Sequence, residues 1–244
     1  MRLRGKAAII TGVSGAGQAG FAVAEAFARE GADLVICSRN KERIEKRADE
    51  LRSKVENAIV LPVAADLTTE EGAKDLIQES LGAYERIDIL VNLAGGLTKY
   101  GPSDELSLAD WDHELNNNLR TVFLCTRAVW PAMSNQGSGK IINFSRAGGV
   151  TSSGPNMAAY NSAKAGVDAL TYTFAKEGAA NGIYVNAIGP GLLITASNIE
   201  SMKPSDEEKH KKWVSLDKIA EVAIFLASSA SDGVNGVIIP VTQA

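Results

Sequence analysis

Short apolar runs rich in β-branched residues alternate with amphipathic, helix-length segments along nearly all of this 244-residue sequence, and no other feature constrains the fold as much. The runs are Ala7 to Thr11, Asp33 to Cys37, Ile59 to Val63, Ile87 to Leu93, Lys140 to Phe144, Ile183 to Ile188 and Gly236 to Val241. Helix-period segments fall between them at Phe21 to Glu30, Lys41 to Arg52, Glu70 to Tyr84, Leu108 to Met133, Ala158 to Ala179 and Asp217 to Ser228. Strands joined by helical crossovers lie parallel, and right-handed crossovers cover both faces of their sheet. The expected fold is therefore α/β: a Rossmann-like, doubly wound parallel sheet of about seven strands in a single domain, residues 1–244. One long interruption, Gly189 to Trp213, is charged near Asp206 to Lys212. It reads either as a substrate lid over residues 192–214 or as a solvated insertion.

Charge narrows the function. A formal net charge of −4 disfavours partners with anionic surfaces, so neither nucleic acid nor membrane is an expected partner. No apolar run approaches the length of a signal core or a membrane span, and a cytoplasmic location is expected. Cys37 and Cys125 each sit in an apolar segment, where a thiol acts as a small buried hydrophobe, and no disulfide is expected. His113 and His210 lack neighbours at ligand spacing, so no metal is expected. Small-molecule chemistry remains.

After the first run comes Thr11-Gly12-Val13-Ser14-Gly15-Ala16-Gly17-Gln18-Ala19-Gly20, followed at once by an apolar helix. Glycines let a backbone turn tightly against a pyrophosphate, and the free N–H groups of a helix start favour its charge. Gly15, Gly17 and Gly20 match the dinucleotide spacing, with strand before and helix after. At the end of the second run, Ser38-Arg39 offers a guanidinium where an adenosine ribose would need a carboxylate. A fork of donors suits a 2′-phosphate, which favours NADP(H) and leaves NAD(H) as the second possibility.

Tyr160 and Lys164 are four residues apart at the start of a helix, so phenol and ammonium share a face. A cation that stabilises phenolate would make the pair an acid or base near working pH. In the long preceding helix, Asn118 falls on the stripe of Trp111, Leu115 and Val122, a polar amide where an apolar residue is expected.

With these motifs in order, and with Asp66-Leu67, Asn92-Leu93-Ala94-Gly95, Pro190-Gly191 and Thr195 following the third, fourth and sixth runs, the sequence resembles the short-chain dehydrogenase/reductase family along nearly all its length. The resemblance implies that Tyr160 is the general acid in carbonyl reduction and that Lys164 lowers its pKa and holds the nicotinamide ribose. Asn118 would anchor a relay water. It also implies cofactor contacts at Gly12, Ser14, Gly15, Gly17 and Ala19, with Asp66 and Leu67 at the adenine. Asn92, Ala94 and Gly95 would lie near the ribose, and Pro190, Gly191 and Thr195 at the carboxamide. Members usually pair through the helices that here carry Asn118 and Tyr160, so a homo-oligomer, tetramer or dimer, is implied. Trp130, Val167 and Phe174 are either part of that interface or core.

Two features depart from the family pattern. Ala16 and Gln18 stand where glycines are usual, in a loop that reaches its helix two residues late, as in the enoyl-thioester reductases. Arg146 stands at the commonest position of the catalytic serine, whose hydroxyl donates to the substrate carbonyl. Ser145 is the first choice for that role, with Ser152 and Ser153 behind it; alternatively Arg146 polarises the substrate, or the role is lost. The expected activity is NADPH-dependent reduction of a ketone, or oxidation of a secondary alcohol. An enoyl-thioester reductase and a cofactor-binding regulator without turnover are the alternatives.

Overall fold

The computed structural model describes residues 1–243, apart from the side chain of Val150. Seven strands form one parallel sheet: β1 (Ala7–Thr11), β2 (Asp33–Ser38), β3 (Val60–Ala64), β4 (Ile89–Asn92), β5 (Gly139–Phe144), β6 (Ile183–Pro190) and β7 (Ile238–Val241). Their order is β3-β2-β1-β4-β5-β6-β7, so β1 pairs with β2 on one side and β4 on the other. The chain reverses its winding there, and a crevice opens beyond the carboxyl ends of the strands.

Alternation along the buried strands feeds two cores. Ala8 and Ile10 of β1 and Leu34 and Ile36 of β2 join the layer that also holds Phe27, Ile44, Leu51, Ile219 and Ile224. Ile9, Val35 and Cys37 point to the opposite layer, with Leu76, Val129, Met133 and Val185. The first layer lies under α1 (Ala19–Arg29), α2 (Lys41–Lys54) and α9 (Leu216–Ala227). Beneath α3 (Glu70–Tyr84), α5 (Thr121–Gln136) and α6 (Ala158–Gly178) lies the second. Both cysteines are buried as expected, and burial pushes the Cys37 thiol up to about 12.

Helix α1 begins at Ala19, two residues before the expected start, and Gly20 in its first turn packs on the chain just after β1: a Cβ there would lie 2.5 Å from the Gly12 carbonyl oxygen. The long segment before β5 is α4 (Leu108–Leu115), a π-helical turn (Asn116–Arg120) and α5 in one run. Residues 192–214 carry α7 (Ala196–Met202) and α8 (Asp206–Lys212), closed at the base by a parallel bridge between Leu193 and Val214. Among the described residues no helix is long and apolar enough to cross a membrane, and no cluster of three His, Cys, Asp or Glu could hold a metal.

Candidate active site

The motifs converge on the carboxyl edge of the sheet, and the cofactor side is built first from backbone. Gly12 has φ +76°, and a Cβ on it would sit 2.8 Å from the Ala94 backbone, so β1 and the segment after β4 touch main chain to main chain. Thr11 locks that contact, its hydroxyl donating to Val91 O and accepting from the amides of Leu93 and Ala94. Gly95 has φ +135° and lies against the Asn118 amide, where a Cβ would approach Oδ1 to 2.6 Å. No side chain caps the start of α1, which leaves first-turn amides for an anion. Ser14 is exposed and Gly15 half-exposed in the loop, while Ala19 is buried within α1.

At the end of β2, the Ser38 hydroxyl is buried and finds no partner among the described residues. Buried hydroxyls are normally satisfied, so an absent polar group belongs there. Arg39 beside it is exposed and makes no ion pair among the described residues. Across the edge, Asp66 accepts from the amide and hydroxyl of Thr68, and these bonds hold its carboxyl below the usual range, with help from Arg39. Leu67 is buried beside it. An orphaned hydroxyl, an uncapped helix start and a glycine cradle together fit a dinucleotide.

Two of the expected contacts are already engaged within the chain. Asn92 donates to Thr126 Oγ1 and to Asn143 Oδ1 at 2.9 Å, a buried polar chain that runs on to Thr171. Thr195 caps α7, accepting from Asn198 N at 3.1 Å. Pro190 and Gly191 pair with Ala147 and Val241, carrying β6 past the edge. Helix α7 then meets the glycine loop: Ala196 N donates to Gly17 O at 2.9 Å and Ser197 Oγ to Gln18 Oε1 at 3.2 Å.

On the catalytic side the currency is charge removed from water. Lys164 is 6% exposed, its Nζ donating to Phe144 O at 2.8 Å and lying 5.6 Å from the Tyr160 ring centre. Burial lowers its pKa to about 8, against the opposing fields of Asp168 and Glu114. Tyr160 is shifted upward, chiefly by burial. Arg146 is the cation that opposes this rise, whereas Lys164 was expected to; Lys164 is turned onto the end of β5 instead.

Asn118 is fully buried in the π turn with its amide saturated. Its Oδ1 accepts from Gly96 N, and its Nδ2 donates to Gly96 O, Glu114 O and Glu114 Oε2. Glu114 is 0% exposed and also accepts from Thr98 N, Thr98 Oγ1 and Lys99 N. One carboxylate thus ties α4 to the loop after β4. Ser145 is buried, and its hydroxyl donates to Asp168, whose pKa is raised, chiefly by burial. Arg146 reaches the other way, bonding Asn161 Oδ1 at 2.5 Å, Ser152 O at 2.8 Å and Ser153 Oγ at 3.3 Å.

A model described as enoyl-(acyl carrier protein) reductase matches residues 12–243. The 3-oxoacyl-acyl-carrier-protein reductase of Thermotoga maritima is 35% identical, over 98% of this chain and 97% of that protein. A 2-dehydro-3-deoxy-D-gluconate 5-dehydrogenase of Bacillus subtilis is 36% identical over 98% of this chain and 94% of its own. The crystal structure of levodione reductase superposes with a TM-score of 0.90 at 30% identity, covering 99% of this chain and 97% of that one. The chain belongs to the short-chain dehydrogenase/reductase family. As a member it is a nicotinamide-dependent oxidoreductase of alcohol and carbonyl groups.

Three features of this short-chain dehydrogenase/reductase escaped sequence reasoning. Glu114 was not singled out, although its place four residues before Asn118 put both on one face. Asp168 follows Lys164 by the same interval and could have been read as its neighbour. No sequence signal announced the π turn, whose last amide bonds five residues back, to Asn116 O.

Proposed function

We propose that the enzyme reduces a ketone with NADPH, or runs the reverse oxidation of a secondary alcohol, with Tyr160 exchanging the proton. The observation that carries this reading is the buried Lys164, fixed at the end of β5 with its ammonium 5.6 Å from the centre of the Tyr160 ring. When bound, the nicotinamide supplies the hydride. Gly12, Ser14, Gly15, Gly17 and the start of α1 hold its pyrophosphate, Ser38 and Arg39 its adenosine phosphate, and Asp66 and Leu67 flank the adenine. Ala94, Gly95 and Lys164 receive the nicotinamide ribose; Asn92 serves it indirectly by bracing β4. Pro190, Gly191 and Thr195 shape the carboxamide end. Residues 192–214 close over the substrate within a single catalytic domain.

Burial keeps the Tyr160 phenol protonated at neutral pH, which poises the resting site to donate a proton, the direction of reduction. Ser145 offers its hydroxyl to the carbonyl if the hydrogen it now donates to Asp168 turns toward the substrate. Since the Asn118 amide is saturated, a relay water would hang on the main chain of the π turn. Subunits associate through α6 and the helical run α4–π turn–α5, where Leu115, Leu119, Phe123 and Leu170 line an apolar hollow. Val167 is buried in the core, whereas Trp130 and Phe174 meet at a tilt, 5.1 Å between ring centres, and are half-buried at its edge.

Enoyl-thioester reduction is the second reading, favoured by the description of the matching model and by the lengthened glycine loop. A panel of ketones, oxoacyl thioesters and enoyl thioesters, followed by NADPH absorbance, separates them. Turnover of the C=O substrates that falls about a thousandfold in Tyr160→Phe is expected. Turnover confined to enoyl thioesters would reverse the assignment, and NADPH binding with none would mark a regulator.

A further inference from the structure

Most lysines and arginines of this chain either stand in water or hold a carboxylate. Among the described residues only two cations are withdrawn from the surface with no carboxylate within 4 Å, Lys164 and Arg146, and both flank Tyr160. Lys164 has its place beneath the phenol. Arg146 has no such account: its three partners, Asn161, Ser152 and Ser153, are neutral and leave its charge unanswered.

Those partners come from two sides. Asn161, adjacent to Tyr160 on α6, fixes one end of the guanidinium, and the 3-10 turn Gly149–Ser152 with Ser153 fixes the other. Of five N–H donors, three are used, so two remain without a partner among the described residues. Asp168 is within its field but accepts its hydrogen bond from Ser145 and makes no ion pair among the described residues. A half-buried cation held rigidly by neutral acceptors, with donors to spare, is a receptor for an anion. The carboxylates of Glu114 and Asp168 act on the same space. They oppose a doubly charged phosphate and leave a singly charged, planar carboxylate as the best fit to the fork.

We propose that Arg146 binds a carboxylate of the substrate, so that the enzyme acts on oxo acids or hydroxy acids whose reacting carbon lies beside Tyr160. This rests on the reading of Tyr160 as the proton donor. It also explains the departure from the family pattern: the position of a carbonyl-binding hydroxyl has been given to a group that sorts substrates by charge.

The test uses matched pairs, each an oxo acid and its methyl ester, with NADPH. Wild-type kcat/KM should favour the acid by about a hundredfold. In Arg146→Gln that ratio should collapse toward one, and Arg146→Lys, which keeps the charge without the fork, should fall between. A wild-type enzyme indifferent to the charge overturns the proposal. So does an equal loss on acid and ester in Arg146→Gln, which would mark Arg146 as a donor to the reacting carbonyl. A second readout does not need turnover: oxo-acid binding to the NADPH complex of Tyr160→Phe, followed by cofactor fluorescence, should disappear when Arg146→Gln is added. Carboxylate binding that depends on Arg146 in an enzyme that reduces no ketone would uphold the anion site and sink the assignment of Tyr160 instead.

Discussion

The two ends of the crevice are built on opposite plans. Beyond β1 and β2 the site is defined by atoms that are missing: Gly12 touches the Ala94 backbone, Gly20 touches Gly12, and the Ser38 hydroxyl has no partner among the described residues. Beyond β5 it is defined by charges drawn back from water: Glu114, Lys164, Arg146 and Asp168 cluster around Tyr160 and one another. The first end tolerates no added methyl group, since two backbones already meet at van der Waals distance. In contrast, the second has side chains to spare and holds them in an arrangement that costs stability, as functional sites commonly do. A substitution should therefore damage folding at one end and chemistry at the other.

The sharpest way to break this contrast is Gly12→Ala. A left-handed backbone and a Cβ 2.8 Å from main-chain atoms should together cost roughly 4 kcal/mol, read as a fall in the urea midpoint at unchanged slope. Gly82, inside α3 with open space around it, is the control: Gly82→Ala should raise the midpoint slightly. A Gly12→Ala protein as stable as wild type would show that the cofactor end is not limited by backbone contact.

The opposite sign is expected at the other end. Lys164 is held at about 8 from an ordinary 10.5, so below pH 8 the folded protein bears the whole cost of a buried charge. Lys164→Met removes that cost and forfeits the bond to Phe144 O, a net gain on the order of 2 kcal/mol at pH 7. Because the unfolded lysine binds its proton more tightly, wild-type stability recovers as pH rises from 8 towards 10.5, and the advantage of the variant shrinks over the same window. Thermal melts across that range, with turnover abolished throughout, are the expected result. A variant less stable than wild type at pH 7 would mean that the lysine is structural.

The same contrast decides what could be read without a structure. Strand and helix alternation was legible because buried parallel strands have to be apolar throughout, and β1 runs from Ala7 to Thr11 in both readings. Glycines at 12, 15, 17 and 20 were legible because absence of a side chain is itself a signal. The charges were not. Whether Glu114 faces water or the amides of Thr98 and Lys99 depends on a loop that periodicity cannot place. Ser145 was the first choice for the donating hydroxyl, but its bond to Asp168, 23 residues away on another element, has no signal in the sequence. Similarly, Lys164 shares a face with Tyr160 as helical spacing requires, but its bond to a carbonyl at the end of β5 has no signal in the sequence.

The smallest expected effect lies where the two plans come closest to mixing, at Arg39. It is an exposed charge on the backbone-built end, so water and salt screen it and its loss should leave folding untouched. Arg39→Ala should weaken NADPH binding by about tenfold, some 1.4 kcal/mol, and leave NADH binding unchanged. Titration at two ionic strengths sharpens the point. If a charge meets the adenosine phosphate, higher salt should erode the preference of the wild type for NADPH and do nothing to the variant. Tighter binding of NADH by the wild type, or equal loss of both cofactors in the variant, would mean that Ser38 and the ribose, rather than Arg39 and a phosphate, set the choice of cofactor.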